Sequence, residues 1–73
     1  MITVYSKTNC VPCKMVKLFL TENDIVFYEK NVDINPVYAQ EVREMGYQSV
    51  PLLVKDGEVI STGFEPSKLE SLL

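Results

Sequence analysis

Apolar residues fall along this chain in short runs whose spacing alternates between that of a strand and that of a helix. Ile2-Thr3-Val4-Tyr5 is β-branched and aromatic and runs into Ser6-Lys7-Thr8-Asn9, which predicts a strand followed by a turn. From Val11 to Asn23 the apolar residues Val11, Met15, Val16, Phe19 and Leu20 recur at helical spacing. Lys14, Lys17, Thr21 and Glu22 occupy the other face, so an amphipathic helix is expected there. Pro12 is tolerated only in a first turn and places the helix start at or just after Cys10.

Asn23-Asp24 is a break, and Ile25 to Val32 reads as a second strand. A second helix is expected from Asn35 as N-cap and Pro36 as first helical residue. Tyr38, Val42 and Met45 line one face of it, and Gly46 stands where a glycine would end it. Leu52-Leu53-Val54 and Glu58-Val59-Ile60 flank Lys55-Asp56-Gly57, whose Asp-Gly pair is the chemistry of a tight hairpin. Pro66 to Leu73 is a short helix with Leu69, Leu72 and Leu73 as its apolar side. The order is βαβαββα. A first βαβ unit implies two parallel strands, and the hairpin adds two antiparallel ones, giving a four-stranded mixed α/β sheet covered by three helices. Residues 1–73 are expected to form one domain, without repeats or linkers.

Size and charge narrow what such a domain does. With 73 residues, 47% of them hydrophobic, the chain carries a modest core but no large substrate pocket, so it is expected to act by docking. The net charge of −3 argues against nucleic acid as a partner. Lys7, Lys14 and Lys17 gather around the two cysteines, either as a solvated face or as a field favouring a thiolate. The N-terminal stretch has no basic region followed by a long apolar run, and no stretch approaches the roughly 18 apolar residues of a membrane span. A cytoplasmic protein without membrane contact is expected, and in that compartment disulfides are normally transient.

Both cysteines lie in Cys10-Val11-Pro12-Cys13, and the chain has no histidine. Three uses compete. As a staple, the bridge would close a loop of about four residues, worth roughly 2 kcal/mol against about 3 for a 15-residue loop. As a zinc site the chain supplies two of four ligands, so a dimer would have to complete a metal or iron–sulfur centre. A Cys-x-x-Cys after a strand, opening a helix, is the setting of a redox dithiol. The helix N-terminus places about half a positive charge beside Cys10, favouring its thiolate and making it the attacking sulfur. Cys13, one turn on, is placed to resolve the mixed disulfide.

These residues carry a resemblance. The strand, the Cys-x-x-Cys at a helix start and Ser49-Val50-Pro51 before the third strand resemble the thioredoxin superfamily along the whole chain. The resemblance implies a thioredoxin fold with a cis Val50–Pro51 bond facing the dithiol. Within it, "VYSKTNCVPCKM", "DINP", "MGYQSVP" and "GFEPSKL" are similar to the NrdH-type redoxins, small glutaredoxin-like proteins. Membership would imply electron supply to class Ib ribonucleotide reductase, recharging by thioredoxin reductase, a monomer, and no cofactor beyond the Cys10–Cys13 dithiol. Lys7, Pro12, Val50 and Pro51 would support the site.

Glutathione-using glutaredoxins usually carry Gly-Gly or Gly-Cys followed by Asp where this chain has Gly63-Phe64-Glu65-Pro66. Their dithiol interior is typically Pro-Tyr rather than Val11-Pro12, whereas Lys7 is shared by both groups. A glutathione-dependent glutaredoxin, or a general protein disulfide reductant, is the alternative. Ser61 stands where NrdH-type proteins often have tryptophan, so packing at that end of the sheet is expected to differ. Tyr5, Tyr47 and Phe64, with Gly63, are candidates for an apolar docking rim, or else core residues. No acid within the motif is placed to take the Cys13 proton.

Overall fold

The computed structural model describes residues 1–73. Its elements are β1 (Ile2–Ser6), α1 (Val11–Glu22), β2 (Tyr28–Asn31), α2 (Pro36–Glu44), β3 (Leu52–Lys55), β4 (Glu58–Thr62) and α3 (Pro66–Glu70). The strands form one mixed sheet in the order β2-β1-β3-β4. β1 is parallel to β2 and antiparallel to β3, and β3 and β4 form the hairpin. Asp56 (φ 50°) and Gly57 (φ 85°) both take the left-handed conformation that a two-residue primed turn demands, as the Asp-Gly pair predicts.

Strand alternation sends side chains to two separate cores. On one face Ile2, Val4 and Leu53 pack against Val16 and Leu20 of α1 and Leu69 of α3. On the other, Tyr5, Leu52 and Val54 pack against Val42 of α2, with Tyr38, Met45 and Tyr47 around them. Each fully buried Leu or Val contributes about 1.5–3 kcal/mol by leaving water. α2 follows the sequence closely: the Asn35 side chain caps Val37 N–H at 3.0 Å, Pro36 opens the helix, and Gly46 follows its end at φ 89°.

Three expectations change. The second strand is only Tyr28–Asn31, because these residues alone register with β1. Ile25 and Phe27 still pack on the first core from the approach, whereas Val26 is exposed. Of the α1 residues expected to face inward, Val11 and Met15 are exposed, and with Leu18 they form a stripe on the outer side. Cys13, Val16 and Leu20 are the buried stripe. At about 100° per residue the two stripes lie on opposite sides of the helix, so periodicity alone did not choose between them. α3 ends at Glu70, leaving Leu72 packed on the core and Leu73 in solvent.

Candidate functional site

One end of the sheet collects the residues singled out in the sequence. β1 and β2 run toward it and end at Ser6 and Asn31, β3 starts there after Pro51, and β4 ends there before Gly63. Main-chain bonds join these segments: Val32 N–H donates to Ser6 O (2.8 Å) and Gly63 N–H donates to Pro51 O (2.8 Å). Gly63 makes its bond at φ 69°, a conformation a side chain would strain. The Val50–Pro51 bond is cis, as the resemblance implied. Thr8 N–H donates to Asp33 Oδ2 (3.0 Å), tying the loop before the cysteines to the loop before α2.

Cys10 is the N-cap of α1 and forms a disulfide with Cys13, with Cα atoms 5.2 Å apart. Cys13 N–H donates to Cys10 Sγ at 3.2 Å. A helix leaves its first N–H groups without partners inside itself, and here one of them serves the sulfur. Asn9, at φ 57°, turns the chain into that N-cap. Cys10 is 5% exposed and Cys13 1%, so what solvent reaches the pair reaches Cys10 first. No group of three or more His, Cys, Asp and Glu side chains is placed to share a metal ion.

The lysines around the cysteines divide. Lys17 Nζ lies 2.7 Å from Glu29 Oε2, which also accepts from the hydroxyl of fully buried Ser6 at 2.6 Å. These two bonds, Lys17 foremost, hold the Glu29 carboxyl below its ordinary range. The Lys17 charge is therefore compensated, while Lys7 and Lys14 form no ion pair. Neither Ser6 nor Glu29 was legible as part of this neighbourhood, because their meeting depends on the pairing of β1 with β2.

Of the docking-rim candidates, Tyr5 is a core residue, 6% exposed, and its hydroxyl donates to Glu41 Oε1 at 2.6 Å. Lys30 Nζ sits 2.9 Å from the same oxygen and 5.4 Å from the ring centroids of both Tyr5 and Tyr38. Tyr47 is half-buried on the α2 side of the sheet, and Phe64 half-buried on the α1 side. The sheet separates the two rings, so they do not form a single rim with Tyr5. Pro12 is exposed, Pro51 fully buried and Val50 half-buried.

A cleft of about 370 Å³ opens beside this end of the sheet. Lys7 and Val50 line it, as do Arg43, Gln48 and Ser49, which sequence reasoning missed. Arg43 carries no local signal, being an ordinary basic residue in the last turn of α2.

A disulfide at the N-cap of the first helix of a thioredoxin-like fold defines a thiol–disulfide redox protein. The Glutaredoxin family model matches residues 2–60, and the chain belongs to that family, as an NrdH-type glutaredoxin-like redoxin. It is 49% identical over 72 residues to the glutaredoxin-like protein NrdH of Lactococcus lactis subsp. cremoris, covering 99% of each chain. It is also similar in structure to the Escherichia coli NrdH-redoxin, for which a thioredoxin-like activity profile is described. There the TM-score is 0.89 at 28% identity, over 99% of this chain and 93% of the other. The thioredoxin-like protein BC3987 superimposes with a TM-score of 0.90 at 35% identity over the full length of both chains.

Proposed function

We propose that residues 1–73 act as one glutaredoxin-like domain that carries electrons from thioredoxin reductase, and ultimately NADPH, to class Ib ribonucleotide reductase. It works in the cytoplasm as a monomer, with the Cys10–Cys13 dithiol as its only redox group. The observation that carries the reading is the disulfide at the α1 N-cap, with Cys13 N–H already donating to Cys10 Sγ. After reduction, the same N–H and the helix N-terminus stabilise a thiolate at Cys10.

In the proposed cycle the Cys10 thiolate attacks one sulfur of a partner disulfide. That S–S bond breaks, one partner thiolate leaves, and a mixed disulfide forms. Cys13 then loses its proton and attacks Cys10 Sγ, releasing the second partner thiolate. Two electrons have passed, the partner is a dithiol, and Cys10–Cys13 is oxidised. Lys7, Pro12, Val50 and Pro51 are supports of this step, with Tyr47, Gly63 and Phe64 as partner contacts.

The loop after β4 favours thioredoxin reductase over glutathione as the source of electrons. Glu65, the acid nearest the position where glutathione-using relatives place their Asp, accepts from Thr62 N–H (2.8 Å) and pairs with Lys68 (3.2 Å). It is engaged within its own turn. The test follows NADPH consumption by the oxidised protein in two couplings, one with thioredoxin reductase and one with glutathione plus glutathione reductase. Turnover in the first alone is expected, and turnover in the second alone would make the protein a glutathione-dependent glutaredoxin. Cys10→Ser should abolish exchange, and Cys13→Ser should accumulate the mixed disulfide. Wild-type turnover by Cys13→Ser would refute the dithiol cycle.

A further inference from the structure

The segment that leads into Cys10 is held at a single point. Lys7, Thr8 and Asn9 are exposed, and none of their main-chain groups enters a main-chain hydrogen bond. Their one hydrogen bond to the rest of the protein runs from Thr8 N–H to Asp33 Oδ2, at 3.0 Å. Asn9 then takes φ 57°, a left-handed conformation that a residue with a side chain keeps only where its surroundings impose it. Asn9 sets the direction in which Cys10 enters the N-cap of α1.

Asp33 is itself fixed from the sheet. Asn31 pairs with Ser6 where β2 and β1 end. Its side-chain oxygen accepts from Asp33 N–H at 2.8 Å, and its carbonyl accepts from Ile34 and Asn35 N–H at 3.2 and 3.3 Å. Val32 N–H donates to Ser6 O at 2.8 Å. The Asp33 carboxylate thus carries the register of two strands across to Thr8, two residues before Cys10.

We propose that Asp33 is a positioning residue for the resolving step, keeping Cys10 Sγ within reach of Cys13 whenever the two sulfurs are not bonded to each other. The inference rests on the redox reading above and deepens it. In the oxidised protein the Cys10–Cys13 bond restrains the loop directly. In the dithiol and in the mixed disulfide that bond is gone, and the tether from Thr8 to Asp33 limits where Cys10 goes. During resolution Cys13 gives its proton to solvent and its sulfur bonds Cys10 Sγ. The S–S bond from Cys10 to the partner breaks, and the partner thiolate leaves. The rate of that step, and the equilibrium between dithiol and disulfide, scale with the effective concentration of one sulfur at the other, which a restrained loop raises. The first attack by Cys10 needs no such restraint, because the partner sulfur is brought to it. Asp33 acts through the oxygen that accepts from Thr8, so an amide oxygen at the same position serves as well.

The test uses the reduced full chain and dipyridyl disulfide, an uncharged probe whose pyridinethione product absorbs in the near ultraviolet. One pyridinethione leaves when Cys10 attacks and a second when Cys13 resolves the adduct, so the probe gains two electrons and two protons in all. Asp33→Ala should slow the second release about three- to tenfold, the span of one lost hydrogen bond, and leave the first within about twofold. Against a dithiothreitol buffer its dithiol–disulfide equilibrium should shift toward the dithiol by the same factor. Asp33→Asn should match the wild type in both measurements. The side chain is exposed, so both variants keep the fold. Equal slowing of the two releases, or no slowing of either, would overturn the inference and leave the redox reading standing. Equal loss in Asp33→Asn and Asp33→Ala would overturn it too, assigning the effect to the missing charge. A wild-type protein that releases one pyridinethione and never the second would refute the dithiol cycle itself, and the inference with it.

Discussion

The two faces of the sheet are held by different physics. On the α1 face the contacts are those of a dry core: Val4, Val16, Leu20 and Leu69 are fully buried and Leu53 nearly so. On the α2 face the core is smaller, and α2 is fastened by a polar clasp in which Tyr5 and Lys30 from the sheet converge on Glu41. The helix carrying the disulfide is thus anchored chiefly by apolar contacts, with the Lys17–Glu29 pair as its titrating tie. The helix carrying Arg43 and one wall of the cleft is anchored partly by groups that titrate.

The largest expected effect attacks the apolar side. Leu20→Ala removes a fully buried side chain under α1 and should cost about 2–5 kcal/mol, measured by chemical denaturation. Loss of only a few tenths would mean that the two faces are not as unlike as described. On the other side, Glu41→Gln should cost about 1 kcal/mol. Its hydrogen bond with Tyr5 weakens, and the ion pair with Lys30, about one-third exposed at each partner, adds little.

Titration sharpens the contrast. Glu29 on the α1 face is held below the ordinary carboxylate range by Lys17 and then Ser6, and Glu41 on the α2 face by Tyr5 and then Lys30. Both contributions are complete above the unfolded value of about 4.3 and are lost as pH falls through the lowered folded values, so acid loosens both faces. Tyr5 is raised by burial and then by Glu41, and Lys30 is raised mainly by Glu41. Their contributions are present below about pH 10 and disappear as pH rises through the raised folded values. Alkali should therefore loosen the α2 face through Tyr5 and Lys30. Thermal melts from about pH 4 to about pH 11 should show both limbs, and Tyr5→Phe should flatten the alkaline one. An unchanged alkaline limb in that variant would remove Tyr5 from the clasp.

The smallest effect has the opposite sign. Ser61 is 2% exposed beside Leu53, and its hydroxyl has no hydrogen-bond partner. Ser61→Ala should stabilise the protein by up to about 1 kcal/mol, because an unpaired buried hydroxyl costs more than it returns. A destabilised variant would show that the hydroxyl has a partner in solution.

Much of this protein was legible from local chemistry. The Cys-x-x-Cys at a helix start, the Asn35 cap followed by Pro36, the Asp56-Gly57 turn and the βαβαββα order all rest on neighbours within a few residues. Such signals are fixed by backbone geometry and survive any tertiary context that keeps the element. The identity of the buried α1 stripe was not of this kind. Val11, Met15 and Leu18 on one side and Cys13, Val16 and Leu20 on the other are equally apolar, and only packing against β1 and β3 chose the second. Strand length was equally nonlocal, since β2 extends only as far as β1 offers partners. The pairing of Lys17 with Glu29, the burial of Tyr5 and the cleft between Lys7, Arg43 and Val50 join residues from separate elements. Those meetings follow from strand order and register, which long-range pairing sets and no local spacing encodes.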